Sequence, residues 1–395
     1  MDLRRLRTTT AARPRVARTQ RTVGIDLGTT NTVVASNFEA LRYEGRGFVM
    51  PSAVAFQPNG EAVTGMSARR RRAMDPKNTI LSAKRIIGAR WHSSYVTQFR
   101  QHYPCDLVQT KDGGAAFQTR AGVFTPVDIG ARVISGLCEL TRCATTGVNA
   151  VVTAPVGFDD RRRRATARAA ADFGSVRLIE EPVATALAYL NRSNLKHAFV
   201  YDLGGGTFDA AVVDCSRYPF RVIGHGGDPY LGGDDVDRTV ALHVADRTLS
   251  RDGWDLTNDA VTFDRLVHAC EMAKCALSES EQVAIAIPNV DPAAPESCGI
   301  ISITREEVQQ LTMDLVRQTF GICDEVLAQA ELRARDVDAV FLAGGSTRLP
   351  GLRHYIAQYF DKRPRSDLDP MQVVSLGASL AAARPAMSEL LDPCA

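Results

Sequence analysis

Two aspartates, each closing an apolar run and each followed by a glycine- and threonine-rich turn, are the residues of this chain best suited to chemistry. Val23-Gly24-Ile25-Asp26-Leu27-Gly28-Thr29-Thr30-Asn31 and Val200-Tyr201-Asp202-Leu203-Gly204-Gly205-Gly206-Thr207-Phe208-Asp209 follow one plan. Each is an apolar strand, then Asp-Leu, then a tight Gly/Thr turn, then a second apolar strand. Glycines let a backbone come close to a phosphate and aim its N–H groups and the threonine hydroxyls at the oxygens. An aspartate at the strand end supplies a hard oxygen ligand for a hydrated Mg²⁺. One such turn would say little. Two, far apart in sequence, predict a duplicated, two-lobed protein that clamps a nucleotide polyphosphate from both sides.

The elements that must carry these turns are legible in outline. The first hairpin runs from about residue 23 to 36, and a second extended stretch, Ser52-Ala53-Val54-Ala55-Phe56, leads into the turn Pro58-Asn59-Gly60. The run Arg69-Arg70-Arg71-Arg72 falls on a helix predicted over 68–74 and reads as a solvated face. Thr125 and Pro126 are an N-cap and an N1 proline ahead of a helix with Ile129, Val133 and Leu137 on one side. A buried strand over 148–155 precedes an Arg- and Ala-rich helix expected to close at Gly174. A strand over 176–179 then meets Glu180-Glu181-Pro182 and a helix through Tyr189. Leu231-Gly232-Gly233-Asp234-Asp235 opens another helix, and Thr304 with Glu307 forms a capping box. The strand over 339–342 runs into Ala343-Gly344-Gly345-Ser346-Thr347-Arg348 and a helix from about Pro350. Strands alternating with helices predict an α/β architecture with helices packed on mixed sheets. No low-complexity tract divides the body, so the lobes share a cleft.

Composition excludes several classes. The chain has 395 residues, enough for two or three units with real cores, at 45% hydrophobic and 23% charged. No apolar run approaches the roughly 18–20 residues needed to cross a bilayer. Of the 47 basic and 45 acidic side chains, seven Arg and one Asp fall within residues 1–21, leaving 40 against 44, a net of −4 for the rest. A basic face for nucleic acid is therefore not expected. The nine cysteines show no C-x-x-C spacing and read as reduced, mostly buried thiols of a cytoplasmic protein. Residues 1–21, rich in Arg, Thr and Ala, read as a disordered basic tail or an over-long start in preference to a presequence. Asn191-Arg192-Ser193 matches a glycosylation acceptor and reads as an unmodified loop. No G-x-x-x-x-G-K-[ST] occurs, so a P-loop is excluded.

Together these residues resemble the nucleotide-binding domain of the DnaK-type, seventy-kilodalton heat-shock chaperones, a branch of the actin and sugar-kinase superfamily. The resemblance runs over about residues 22–383, through both hairpins, the stretches 78–88, 153–166, 180–189 and 231–237, the helix over 271–278, and 342–348. It implies an actin-like ATPase fold: two lobes, each a mixed sheet flanked by helices, with the nucleotide between them. Lobe I is then residues 22–196, lobe II 197–369, and 370–385 a helix returning to lobe I, with a short tail at 386–395. Residue by residue, it implies that Asp26, Gly28, Thr29, Thr30 and Asn31 form the first phosphate motif, and Asp202, Gly204, Gly205, Gly206, Thr207 and Asp209 the second. Lys84, in Ala83-Lys84-Arg85-Ile86-Ile87-Gly88, matches the family's catalytic lysine. Glu271, Lys274 and Ser278 match the adenosine-side helix, with Gly344, Gly345, Ser346 and Arg348 on the opposite wall. Pro155 and Glu181 match residues that link nucleotide state to lobe movement, and Arg163 matches one that signals between domains. Cys275 stands where many relatives have an arginine packed on adenine, and Met371 where many have an acid. Twelve residues follow Ala383, where the family continues into a linker and a peptide-binding domain; Leu390-Leu391-Asp392 reads as a remnant of that linker.

The implied function is an Mg-dependent ATPase switch, binding ATP and ADP, with K⁺ as a further candidate ion. Asp26 and Asp202 would hold Mg²⁺ largely through water, Glu181 would lie in its outer shell, and Lys84 would flank the γ-phosphate. Asp209 and Thr207 are the candidates to align the attacking water or take its proton. The basic residues comprise only six Lys against 41 Arg, and Lys84 and Lys274 are two of the six; a compact ammonium is not replaced there by a planar guanidinium. The implied partners are a J-domain protein, an exchange factor or a separate substrate-binding subunit, acting on a monomer. Two competing readings share the fold: an actin-like, ATP-controlled assembly protein and a small-molecule kinase with an acceptor pocket between the lobes.

Overall fold

The computed structural model describes residues 22–43, 47–190 and 195–383, together with the backbone of 392–393. The basic N-terminal segment, the acceptor sequence at 191–193 and most of the tail expected at 386–395, with Leu390 and Leu391, lie outside the described residues.

Two large sheets repeat one plan. In the first, β1 (Thr22–Leu27) turns back as β2 (Asn31–Ser36), in a register that places Leu27 opposite Thr32. Strands β3 (Asn149–Ala154) and β4 (Ser175–Glu180) extend it in parallel on the other side of β1. The short strand Asp392–Pro393 pairs antiparallel with the outer edge of β4. In the second sheet β5 (His197–Leu203) turns back as β6 (Phe208–Asp214), with β7 (Arg221–Asp228) beyond β6 and β8 (Ala339–Ala343) parallel to β5. The resulting order is β7-β6-β5-β8. A hairpin flanked by a parallel strand therefore occurs twice, and each hairpin turn carries a Gly/Thr loop. The strands are near-continuous apolar runs because helices cover both faces: Val23, Ile25, Val200 and Val212 are all buried.

The helices that position the site are α1 (Gly65–Arg69), α2 (Pro126–Thr141), α3 (Asp160–Arg168) and α4 (Glu181–Leu190), followed by α5 (Gly233–Asp252), α6 (Ala260–Ala276), α7 (Arg305–Gln329) and α8 (Val373–Ala383). The predicted N-cap at Thr125 and the predicted capping box at Thr304 both form, and the first proves to be a capping box as well. Thr125 accepts from the N–H of Asp128 while Asp128 accepts from that of Thr125, and Thr304 and Glu307 do the same at α7.

Two boundaries differ from the sequence expectation. The first helix spans 65–69, and only tight turns carry the chain to Met74, with Arg71 N–H bonded back to Ala68 and Arg72 to Arg69. Helix α3 stops at Arg168, after which i→i+3 turns at Ala170, Ala171 and Phe173 replace helical bonds. Gly174 is thus no helix cap; it leads into β4, donating its N–H to Val148 O at 2.8 Å.

Helices α4 and α8 join the two sheets. One apolar cluster contains Ala35 and Val151 from the first sheet, Val200 and Phe341 from the second, and both helices between them. The helices cross at backbone contact: a methyl group on Gly377 would overlap the carbonyl of Ala184, and one on Gly24 would overlap the backbone of Ser379 in α8. No side chain separates the chains at either place. The mostly buried thiols expected from the sequence are found, six of the eight described cysteines being buried, with Cys215 half-buried and Cys275 exposed.

Candidate active site

Both Gly/Thr loops open into one cavity of about 360 Å³. Asp26, Gly28, Thr29, Thr30 and Asn31 line it from the first hairpin, and Asp202, Gly204, Gly205, Thr207 and Asp209 from the second. Lys84, Pro155 and Glu181 form one flank, while Gly344, Gly345 and Met371 close the far wall. Two carboxylates predicted to converge from opposite halves of the chain therefore share a crevice. The loops nearly touch: a Cβ on Gly205 would stand 2.5 Å from the Thr30 hydroxyl oxygen. Only glycine leaves room there.

Each reactive side chain is placed by a local rule. Asp26 and Asp202 stand one residue before the ends of their central strands, next to where the loops begin. Glu181 is the first residue of α4, where the helix dipole favours an acid. Lys84 rides on a single 3₁₀ turn, Ala83–Ile86, which begins after Ser82 at φ 54° and ends before Gly88 at φ 66°. Its Nζ lies 2.5 Å from Glu181 Oε1, and both side chains are nearly dry.

Four carboxylates, Asp26, Glu181, Asp202 and Asp209, surround this single ammonium. Burial pushes the Asp26 carboxyl up to about 6, with Glu181 adding to the rise and Lys84 and a 3.0 Å hydrogen bond from Thr153 opposing it. Burial and Glu181 lift Asp209 to about 7 against the pull of Lys84, Thr207 and Arg162. Asp202 is raised well above the usual range by burial and then by Glu181, Asp209 and Asp26. Burial opposes the charge on Lys84, but Glu181 and Asp26 outweigh it, so its pKa rises and the ammonium persists.

With Arg85 and Arg162 also lining it, the cavity sets three cationic groups against these four carboxylates. Its oxygen donors are of the type that suits a hard divalent cation, and the Thr30 hydroxyl is buried without a partner beside Gly205. Among the described residues no three His, Cys, Asp or Glu side chains converge into a direct ligand set. The donor set thus fits a hydrated Mg²⁺ carried with a polyphosphate better than a protein-caged metal.

Other predicted residues stand away from the cavity wall. Gly206 turns its carbonyl to Arg85 Nη2 at 2.7 Å. Ser346 Oγ donates to Gly204 O at 2.8 Å, bracing the second loop from behind. Lys274 donates to Gly233 O and is ion-paired with buried Asp237 at 2.8 Å. Arg348 pairs with Asp369. Ser278 lies in the turn after α6, its N–H bonded to Cys275 O. Arg163 pairs with Glu180 at 3.7 Å, next to Glu181. Met371, by contrast, is on the wall itself and packs on Gly345, its Sδ 3.5 Å from where a Cβ would be.

Glu271 faces across the cleft. It pairs with Arg69 of α1; burial would raise its pKa, but the bond from His268 and the charges of Arg69 and Lys274 bring it down to about 2. Arg72 pairs with Asp264 at 2.7 Å in the same way. The arginine run read as a solvated face is thus, in part, a strap between α1 and α6, because its acidic partners lie about 200 residues downstream in sequence but next to it in space. Sequence reasoning also passed over Arg85 and Arg162, both buried at the cavity.

Twin hairpin-and-helix sheets with a phosphate-type cleft between them define the actin-like ATPase fold. A family model described as Hsp70 protein matches residues 22–386. The chain belongs to the Hsp70 family, whose members are chaperone-type ATPases. Among the described residues no helix is long and apolar enough to cross a membrane.

Proposed function

We propose that this protein is an Mg-dependent ATPase that works as a nucleotide-driven switch in protein folding or remodelling. Residues 22–196 and 197–369 act as its two lobes, and 370–385 return to the first. The observation that carries this reading is the meeting of Asp26, Asp202 and the Lys84–Glu181 pair with both Gly/Thr loops in one cavity.

Backbone N–H groups of the loops at 28–31 and 204–207 cradle the phosphates, and the Thr29, Thr30 and Thr207 hydroxyls supply further donors. Asp26 and Asp202 hold the hydrated cation, with Glu181 behind it. When bound, Mg²⁺ offsets the charge of the phosphates and of the carboxylates around them. Lys84, fixed by Glu181, stands beside the transferred phosphoryl group and offsets the negative charge that develops there. Asp209, with a pKa near 7, is poised to take the proton of the attacking water, and Thr207 helps to align that water. Gly344, Gly345 and Met371, backed by Ser346 and Arg348, receive the nucleoside end from one wall, and the helix of Glu271, Lys274 and Ser278 flanks it from the other. Pro155 and Arg163 carry the nucleotide state outward from Glu181. A J-domain protein, an exchange factor or a substrate-binding subunit fits such a switch, acting on a cytoplasmic monomer.

Two measurements test the reading. Mg-ATP at 100 times its Kd adds about 2.7 kcal/mol and raises the melting temperature; no shift at millimolar ATP removes the binding claim. Lys84→Ala retains that shift and loses turnover, whereas undiminished turnover in this variant dismisses Lys84 as the catalytic group.

A further inference from the structure

Helix α3 opens with four consecutive arginines, and the fold treats them unequally. Arg161 pairs with exposed Asp112, Arg163 with Glu180, and Arg164 with Asp160 one turn back. Arg162 alone points inward and is 6% exposed. Its guanidinium lies between two rings, 3.8 Å from the Phe158 centroid and 4.3 Å from that of Tyr95. From there it donates to three carbonyls of one short segment: Arg85 O at 3.0 Å, Ile87 O at 3.3 Å and Lys84 O at 3.4 Å.

That segment is the 3₁₀ turn bearing Lys84. A single turn cannot satisfy its own trailing carbonyls. Ser82 just before it and Gly88 two residues beyond it sit at positive φ, so the chain bends sharply on either side of the turn. It rests directly on α3: a Cβ on Gly88 would come within 2.8 Å of Arg162 Cα. We propose that Arg162 is the positioning residue for Lys84, a fork that reads the carbonyls on both sides of the lysine and fixes the height of its ammonium over the phosphate site. The planar guanidinium is required because it spreads several donors across the turn while its faces stack on the two rings; a lysine reaches one acceptor and stacks poorly.

This inference rests on the ATPase reading above, deepening it by one residue, and its test separates the two. Arg162→Met and Arg162→Lys are each made in the wild-type and the Lys84→Ala backgrounds. Steady-state and single-turnover hydrolysis of Mg-ATP are measured, with amide hydrogen exchange over residues 82–90. Displacing a reactive group by about 1 Å costs on the order of 100-fold. Both variants are therefore expected to lower kcat by roughly 10- to 100-fold, with KM changed by less than about threefold. Exchange is expected to rise over 82–90 and to stay unchanged in β5. In the Lys84→Ala background the substitutions are expected to cost less than about threefold of the residual single-turnover rate, because the group they position is gone and only the charge of Arg162 near Asp209 is left to lose. Wild-type kcat in Arg162→Lys would show that charge alone suffices, and a full multiplicative loss on Lys84→Ala would show that Arg162 acts independently; either overturns the proposal. If the wild-type protein does not hydrolyse ATP, the ATPase reading fails. Exchange then still decides the role of Arg162, since unaltered protection over 82–90 refutes it.

Discussion

Loading the cleft with Mg-nucleotide should expel protons, and the number follows from the carboxylates already described. Asp26, at about 6, and Asp209, at about 7, must both be ionised to face a cation and a polyphosphate. At pH 7 the first carries roughly 0.1 proton and the second roughly 0.5. These two alone should therefore release about half a proton on binding, and Asp202, also raised well above the usual range, adds to the count. The sign follows from the raised values: protons compete with the cation, so affinity rises with pH. Between pH 6 and pH 8 the competition at Asp26 and Asp209 alone changes affinity about 20-fold, equivalent to about 1.8 kcal/mol. Titration calorimetry with Mg²⁺ and a non-hydrolysable ATP analogue, run in two buffers of different ionisation enthalpy, reads the proton count directly. In Asp209→Asn the count should fall by about half a proton and the pH factor by about tenfold. Heats at pH 7 that do not depend on the buffer, with equal affinity at pH 6 and pH 8, would refute the claim that these carboxyls are held partly protonated.

Three further outcomes are expected. Arg69→Ala removes the α1–α6 strap at Glu271, a partly exposed pair worth up to about 1 kcal/mol; nucleotide release in stopped flow should accelerate about fivefold at low salt and converge with wild type at high salt, and an unchanged low-salt rate would exclude the strap. Gly377→Ala forces a methyl group into the Ala184 carbonyl and should cost about 2–3 kcal/mol in urea unfolding; a loss under about 1 kcal/mol would mean that α4 and α8 separate freely. Thr304→Ala breaks the α7 capping box and should cost about 1 kcal/mol in the same assay, without altering turnover.

What the sequence made legible was what depends on near neighbours. The two hairpins, the N-cap at Thr125, the capping box at Thr304 and the acid at the start of α4 are set by residues a few positions apart, and all appear where expected. The cleft followed because duplicated loops need a common ligand. Long-range pairing was not legible. Nothing near Arg69 announces Glu271, and Lys274, placed from its motif beside the adenosine, is drawn to Asp237 of α5, the buried carboxylate closest to its ammonium. Among Arg161–Arg164 the motif match favoured Arg163, yet helical spacing held the missed signal. Arg162, Ala165, Thr166 and Ala169 fall on one buried stripe, which turns Arg162 and not its neighbours toward the protein interior. Helix ends were misplaced where the chain leaves α geometry gradually, as it does after Arg69 and Arg168.

The crossing of α4 and α8 sets the spacing of the two sheets. At Gly377 and Gly24 backbone meets backbone, so any side chain added at either position pushes α8 off α4 or off the first sheet. The sheets that carry the two Gly/Thr loops are thus gauged by main chain alone at these points, which leaves the width between the loops insensitive to side-chain repacking there.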